Sequence, residues 1–459
     1  MTHQNLKLQT STSQRITSYL HSIKSSKALL RSFFSQMPKG GDIHHHVLGS
    51  VYAEDALELA AKQGFWIDPR SAQLYPPTNK HRHSHALKVT DALKIPSYYE
   101  HFIDQLSIRN YTKAKGRAHD HFFDVFPKIS PVFDGNEGHF LGKIREQAEV
   151  DNVQYIESMI IDPKSQGRMI TYASEFQWDD KAELNENLEQ LYQFLLQKDI
   201  QSLATMSAQK LEHWDNEATE MVPNEVVMRY QIYALRVLAK EAVFAQLMLS
   251  FLMEETSDII VGVNLVGIEN NRIALRDYSL HMKMVQFLRK KHPQTHLALH
   301  AGEISAGLVI PQNIHFHIKE AVEIAKAERI GHGSDIAFEK DHLKTLQTMR
   351  EKGIAIELPL FCNAFLLDIE PNEVPLEVYR KANVPIVLAT DDSAILRSDL
   401  TTVFITALQH YPSLDYPTLK SWAYNSIHYS FLKDETKQAV KERLDRAFNQ
   451  FESDVLASL

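Results

Sequence analysis

The sequence predicts an α/β fold: a closed (β/α)8 (TIM) barrel with an N-terminal helical extension and an insertion after the first strand. Eight short candidate strands, most of them apolar runs, alternate with stretches of helical spacing along 459 residues. That order is expected of parallel strands joined by crossover helices. The runs are apolar almost throughout rather than alternating, which suits strands covered on both faces. The residues with the most chemistry, histidines and a pair of aspartates, follow directly on these runs, where barrels of this kind gather their active sites.

Residues 1–36 make up the extension. Ile16, Tyr19, Leu20, Ile23, Leu29 and Leu30 recur at helical spacing, as in an amphipathic helix covering one end of the fold. Met37-Pro38-Lys39-Gly40-Gly41 turns the chain into a first strand, Asp42 to His46, which opens a barrel domain over 37–459. A helix around Tyr52 to Gln63 leads to the insertion at about 65–150. Its first part, 65–90, reads as loop-rich. There His81, His83 and His85 stand among Lys and Arg, a solvated surface stretch in preference to a metal site. Residues 91–150 read as mainly helical. Phe122, Phe123 and Phe126 share a helical face, with core packing the first reading and a pocket wall the alternative. Seven further strands follow at 153–160, 226–232, 259–265, 296–300, 329–332, 354–358 and 384–390. Helical stretches separate them near 181–213, 243–253, 276–290, 316–327, 343–351 and 376–382, and residues 430–459 close the chain as a charged helix.

Composition narrows the function classes. A net charge of −9 argues against a chain-wide attraction to nucleic acid or anionic membrane, but leaves an uncharged small molecule open. No run approaches 18 apolar residues, so no membrane-spanning helix is expected. Cys362 is the single cysteine, which rules out an intramolecular disulfide. With no signal-like apolar block at the N-terminus, a cytoplasmic location is expected.

The chemistry starts at Thr390-Asp391-Asp392, after the last apolar run. Adjacent carboxylates at a strand end repel unless a cation or a ligand takes up the charge. Three histidine motifs upstream answer that demand: His44-His45-His46, His300-Ala-Gly-Glu303 and Gly331-His332-Gly333. In a strand, His44 and His46 share a face and His45 points away. By itself a His-x-His pair fits two core or exposed histidines as well as a metal site. Joined by His300 and Asp391 it makes three imidazoles and a carboxylate, a natural zinc set. A catalytic zinc with one open position makes water a nucleophile near neutral pH. Glu303, just past its strand, is placed to donate a proton to a ring nitrogen, or is simply an acidic residue opening a helix. His332 is placed to orient the water, to add a ligand or to fill the core, and its flanking glycines let backbone approach a ligand closely. Asp392 is expected to face the same pocket, where a neutral or charged carboxyl can hydrogen-bond a ring nitrogen.

Met37-Pro-Lys, Asp-Ile-His44-His-His46, His300-Ala-Gly-Glu303, Gly331-His332-Gly333 and Thr390-Asp391-Asp392, in that order over about 38–392, together resemble the adenosine deaminase family. The resemblance implies one zinc per chain on His44, His46, His300 and Asp391. It implies Glu303 as proton donor, His332 as assistant to the attacking water, and Gly267 and Asp392 as contacts to the base, with His46 also reaching the substrate. The implied reaction converts adenosine or deoxyadenosine to inosine or deoxyinosine with release of ammonia, so the partner is a purine nucleoside. Two positions depart from the family pattern. Leu48 stands where many members carry Asp, so recognition of the ribose is expected to differ, and Leu358-Pro-Leu-Phe-Cys-Asn363 replaces a Ser- or Thr-Asn stretch. A related amidohydrolase acting on another aminopurine or on a nucleotide is the alternative enzyme. A barrel that binds without turnover would have lost a ligand or the acid, and this chain keeps them all.

Overall fold

The computed structural model describes residues 3–79 and 85–459, so His81 and His83 lie outside the described residues. Among those described, eight parallel strands form the barrel: β1 (Gly41–His46), β2 (Tyr155–Ile160), β3 (Val227–Leu235), β4 (Ile260–Val266), β5 (Ala298–Ala301), β6 (Arg329–His332), β7 (Ala355–Leu358) and β8 (Ile386–Leu388). They run as two four-stranded halves, β1-β2-β3-β4 and β5-β6-β7-β8. Val263 joins the halves on one side through the carbonyl of His296. On the other side the ring closes through the site residues themselves. His46 N–H donates to the Asp391 carbonyl at 3.0 Å, and Asp391 N–H donates to that of His44 at 3.0 Å. Apart from β1, which is the histidine motif Gly-Asp-Ile-His-His-His itself, the strands fall on the apolar runs, because a strand buried on both faces carries apolar residues at successive positions.

The helical layer differs from the sequence reading in detail. The stretch expected at 181–213 is two helices, Leu184–Leu196 and Ile200–Met221. Asp199 between them adopts a left-handed backbone, φ +56°, which ends one helix and starts the next. Leu400–His410 and Tyr416–His428 are helices to which the sequence reading assigned nothing. The first is buried along most of its length, so it shows no polar stripe to mark its period. The extension forms His3–Ile23 and Lys27–Gln36, and these pack against the last three helices of the chain.

The insertion is more ordered than its loop-rich composition suggested. Trp66–Ile67, Leu74–Tyr75 and Leu87–Lys88 pair as a small antiparallel sheet. Two-residue strands are too short to show an alternation in sequence. Nearby, the His85 imidazole bonds Asp68 at 2.9 Å and stays half exposed. The helix Ala118–Phe133 crosses the mouth of the barrel. Its Phe122 and Val125 form a separate apolar cluster with Cys362, Leu366, Ile395 and Leu396, with Phe123 and Phe126 packed against it. On the far side of the mouth His119 bonds Asn270 beyond β4 at 3.0 Å. The aromatic face is therefore packing, as first read, but it packs a roof over the strand ends rather than the barrel core.

Candidate active site

His44 and His46 sit near the end of β1, His300 within β5 and His332 at the end of β6, while Asp391 lies three residues past β8. The donor atoms of His44, His46, His300 and Asp391 all lie within 4.8 Å of one another. His46 Nε2 is 3.1 Å from His300 Nε2 and 3.2 Å from Asp391 Oδ1, and His44 Nε2 is 3.5 Å from that oxygen. Ligands about 2.0–2.1 Å from a tetrahedral zinc are separated by roughly 3.3 Å, the edge of that tetrahedron. These three pairs therefore stand near the spacing such an ion requires. His44 Nε2 and Asp391 Oδ1 are also buried without a hydrogen-bond partner, a costly state unless something else satisfies them.

Three of the four imidazoles are aimed by a second residue. His44 Nδ1 donates to Glu357 at 2.7 Å, and His300 Nδ1 donates to Asn264 Oδ1 at 2.9 Å. His332 Nδ1 donates to Asn363 Oδ1 at 2.8 Å. With the proton held on Nδ1, the Nε2 lone pair faces inward in all three. Asp391 is steadied by the Cys362 thiol, which donates to Oδ2 at 2.9 Å. Both Cys362 and Asn363 belong to the helix Leu360–Leu367, which starts directly after β7 and turns its first residues over the strand ends. His332 and Asp391 both hold left-handed backbone, φ +68° and +69°. For residues other than glycine that costs about 1–3 kcal/mol and tends to be kept at functional positions.

Glycines fit around these groups. A methyl on Gly331 would overlap the His44 ring, and one on Gly49 would overlap the Asp392 carboxyl. The glycine before His332 thus clears room for His44, where the sequence reading had backbone approaching a ligand. Gly267 lies just past β4 with φ +103° and is not crowded by its neighbours. Leu48 packs its side chain against the main core.

The charges divide along chemical lines. Burial pushes the Asp391 carboxyl up, but the His44 and His46 imidazoles beside it outweigh that and hold the group well below its usual value. Burial, reinforced by the Asp391 charge, raises Glu303 well above the ordinary glutamate range. Burial and the charges of Asp391 and Glu303 do the same for Asp392. Neighbouring carboxyl groups pushed apart in this way can serve as anion and as acid at one pH. Burial lowers His300 well below its usual value and His332 to about 4, which keeps their ring nitrogens available as lone-pair donors. For His44 burial acts downward, and the carboxylates of Asp391 and Glu357 overcome it and lift the group to about 10. Two carboxylates flanking one ring call for positive charge there, as a proton or as a metal ion. The Glu303 carboxyl lies 3.7 Å from His332 Nε2, so carboxyl and imidazole face one space beside the four converging donor atoms.

Sequence reasoning missed the support. Glu269 accepts the backbone N–H groups of Gly302 at 3.0 Å and Glu303 at 2.8 Å, and so fixes the loop that presents Glu303. It is held in turn by Arg236, 3.2 Å away, and by His317. A signal was available for part of this, because Asn264 and Glu357 are lone polar residues inside strands that are otherwise apolar.

Comparison with known proteins agrees with this geometry. The family model described as adenosine deaminase matches residues 203–447. The chain is 27% identical to the adenosine deaminase of Clostridium perfringens over 146 residues, 32% of this chain and 40% of that protein. It is 28% identical to that of Xenopus laevis over 194 residues, 42% of this chain and 50% of that protein. The chain thus spans half or less of the length of these relatives. Solved structures extend the likeness in fold. The N6-methyl-AMP deaminase of Arabidopsis thaliana superposes with a TM-score of 0.58 at 17% identity, covering 92% of this chain and 99% of that one. The adenine deaminase of Arthrobacter aurescens gives 0.59 at 16% identity, covering 89% and 98%. A zinc-bound amidohydrolase of Burkholderia ambifaria gives 0.56 at 16% identity, covering 94% and 95%. With the family match running through His300, Glu303, His332 and Asp391, and β1 bringing His44 and His46 to the same point, the chain belongs to the adenosine deaminase family.

Proposed function

We propose that this protein is a zinc-dependent deaminase that hydrolyses the 6-amino group of adenosine and 2′-deoxyadenosine, yielding inosine or deoxyinosine and ammonia. The observation that carries the reading is the convergence of His44, His46, His300 and Asp391 within 4.8 Å, with Glu303 and His332 beside them. A zinc ion held by those four residues supplies the Lewis acidity that makes water a nucleophile at neutral pH. Glu303, kept protonated by burial next to Asp391, donates its proton to the purine ring nitrogen adjacent to the carbon under attack. His332, with Nδ1 tied to Asn363, offers Nε2 to the attacking water as acceptor. Asp392, protonated for the same reason as Glu303, donates a hydrogen bond to a second ring nitrogen. Gly267 and His46 border the base. The reaction balances as water in and ammonia out, with the carbonyl oxygen coming from water.

A second reading rests on Leu48, an apolar side chain where a ribose contact is expected from the family. On that reading the substrate is another aminopurine or an adenine nucleotide. The ultraviolet absorbance change with adenosine, before and after chelation and after zinc is restored, tests the first reading. A panel of adenine, AMP and N6-methyl-AMP tests the second. Turnover of any of these well above adenosine would move the assignment to it. No turnover of any aminopurine by zinc-loaded protein would end both readings.

A further inference from the structure

The end of the barrel opposite the metal cluster carries a cavity of about 680 Å³, within the range of roughly 300–1,000 Å³ typical of small-molecule sites. The starts of β5, β6 and β7 and the segment 428–437 line this open cavity. Its charged lining is mainly basic, Lys326, Lys352, Lys433 and Lys437 against Glu328 and Asp434, although the whole chain carries a net charge of −9. Several of these charges are already committed. Lys433 pairs with Asp258, and Lys437 donates to the carbonyls of His428 at 3.1 Å and Ser430 at 2.8 Å. Glu328 is taken by Arg289 at 2.6 Å and His296 at 2.7 Å. Lys326 and Lys352 are exposed and have no ion-pair partner among the described residues. An aromatic stack stands beside them. The Arg329 guanidinium lies 3.8 Å from the Phe431 ring centre, and the His296 imidazole stacks on Phe431 at 4.8 Å with 13° between planes. The His296 side chain lines the cavity and is 47% exposed, so the stack ends in an imidazole that is open to solvent.

We propose that this cavity is a binding site for a nucleotide, separate from the metal cluster. The phosphates sit between Lys326 and Lys352, and the base extends the stack on His296. Free cations fit a phosphate, and an open imidazole at the end of a stack fits a flat heterocycle in a way that inorganic anions cannot use. The site is independent of which aminopurine the metal end turns over.

Isothermal titration of the full zinc-loaded chain tests the assignment, with GDP and inorganic pyrophosphate as probes. GDP has no 6-amino group to lose and is not consumed. One GDP is expected per chain, bound more tightly than pyrophosphate. The double substitution Lys326→Ala, Lys352→Ala is expected to weaken GDP by about tenfold or more, since two charge contacts are lost. His296→Ala is expected to weaken GDP and leave pyrophosphate unchanged. Both lysines are exposed, and an unaltered melting temperature checks that the variant is folded. Absence of saturable GDP binding overturns the site. So does GDP binding indifferent to the lysines, which would place it elsewhere. Equal affinity for pyrophosphate, or no effect of His296→Ala on GDP, overturns the nucleotide assignment.

Discussion

Two buried polar clusters sit one above the other inside this barrel, and they are completed differently. The lower one is built from Glu157 of β2, Arg329 of β6 and Glu357 of β7. The Arg329 guanidinium contacts both carboxylates. Glu157 also accepts from the Tyr155 hydroxyl at 2.8 Å, Gln231 at 3.0 Å and the Phe431 N–H at 2.7 Å. The upper cluster leaves His44 Nε2, His332 Nε2, Asp391 Oδ1 and Asp392 Oδ1 without hydrogen-bond partners, whereas the lower-cluster atoms in that state, Arg329 Nε and Glu357 Oε1, face each other as an ion pair at 2.6 Å. Where the chain supplies its own counterions and donors, a buried charge is structural. Where lone pairs converge with nothing to meet them, the partner has to come from outside the chain. Glu357 joins the two clusters, since it holds Arg329 with one oxygen and His44 with the other.

The comparison can be broken most directly at the upper cluster. Asp391→Ala is expected to cause the largest loss, with metal content falling below one per chain by elemental analysis and turnover falling further than in any other single variant. Full zinc content in that protein would remove Asp391 from the ligand set. Glu303→Gln is expected to keep the metal and the melting temperature while turnover drops at least about 100-fold, the scale for losing a general acid. Activity close to that of the parent would show that the proton comes from elsewhere.

The lower cluster should respond in stability instead. Arg329→Met strands Glu157 and Glu357 as buried charges and is expected to cost about 3–5 kcal/mol in urea unfolding. A variant as stable as the parent would erase the distinction between the clusters. Glu269 sharpens the comparison through pH. Burial pushes its carboxyl up, but Arg236 and His317 outweigh that and hold it down at about 2. A folded value below the unfolded one of 4.5 means stability is present in full above pH 4.5 and is lost as the pH falls towards 2. The difference amounts to roughly 3 kcal/mol. Urea midpoints measured from pH 6 down to 3 should therefore fall more steeply for the parent than for Glu269→Gln, and parallel curves would contradict the assignment. The smallest effect is expected at Cys362. Removing its hydrogen bond to Asp391 with Cys362→Ala should weaken metal binding by about tenfold, while Cys362→Ser should stay close to the parent. Equal affinities in a competition titration with a chelator would reduce Cys362 to packing.

Much of this molecule could be read before folding. Parallel strands covered on both faces are written as apolar runs, and the barrel geometry sends the residue after each run to one end. Eight runs, with His44, His46, His300, His332 and Asp391 at their ends, therefore led to both the fold and the cluster. The finer support was beyond that reach. Glu357 bonds His44 across 313 positions of sequence, and the ladder that brings Asp391 to β1 forms only when the barrel closes. The insertion read as loop and helix, yet that it roofs the mouth depends on Phe122 meeting Cys362 and Ile395. The sequence by itself determined the eightfold strand order and the residue types of the site, because burial and strand periodicity act locally. Tertiary structure alone decided which polar groups neutralise one another and which remain open, because that depends on contacts between strands far apart in the chain.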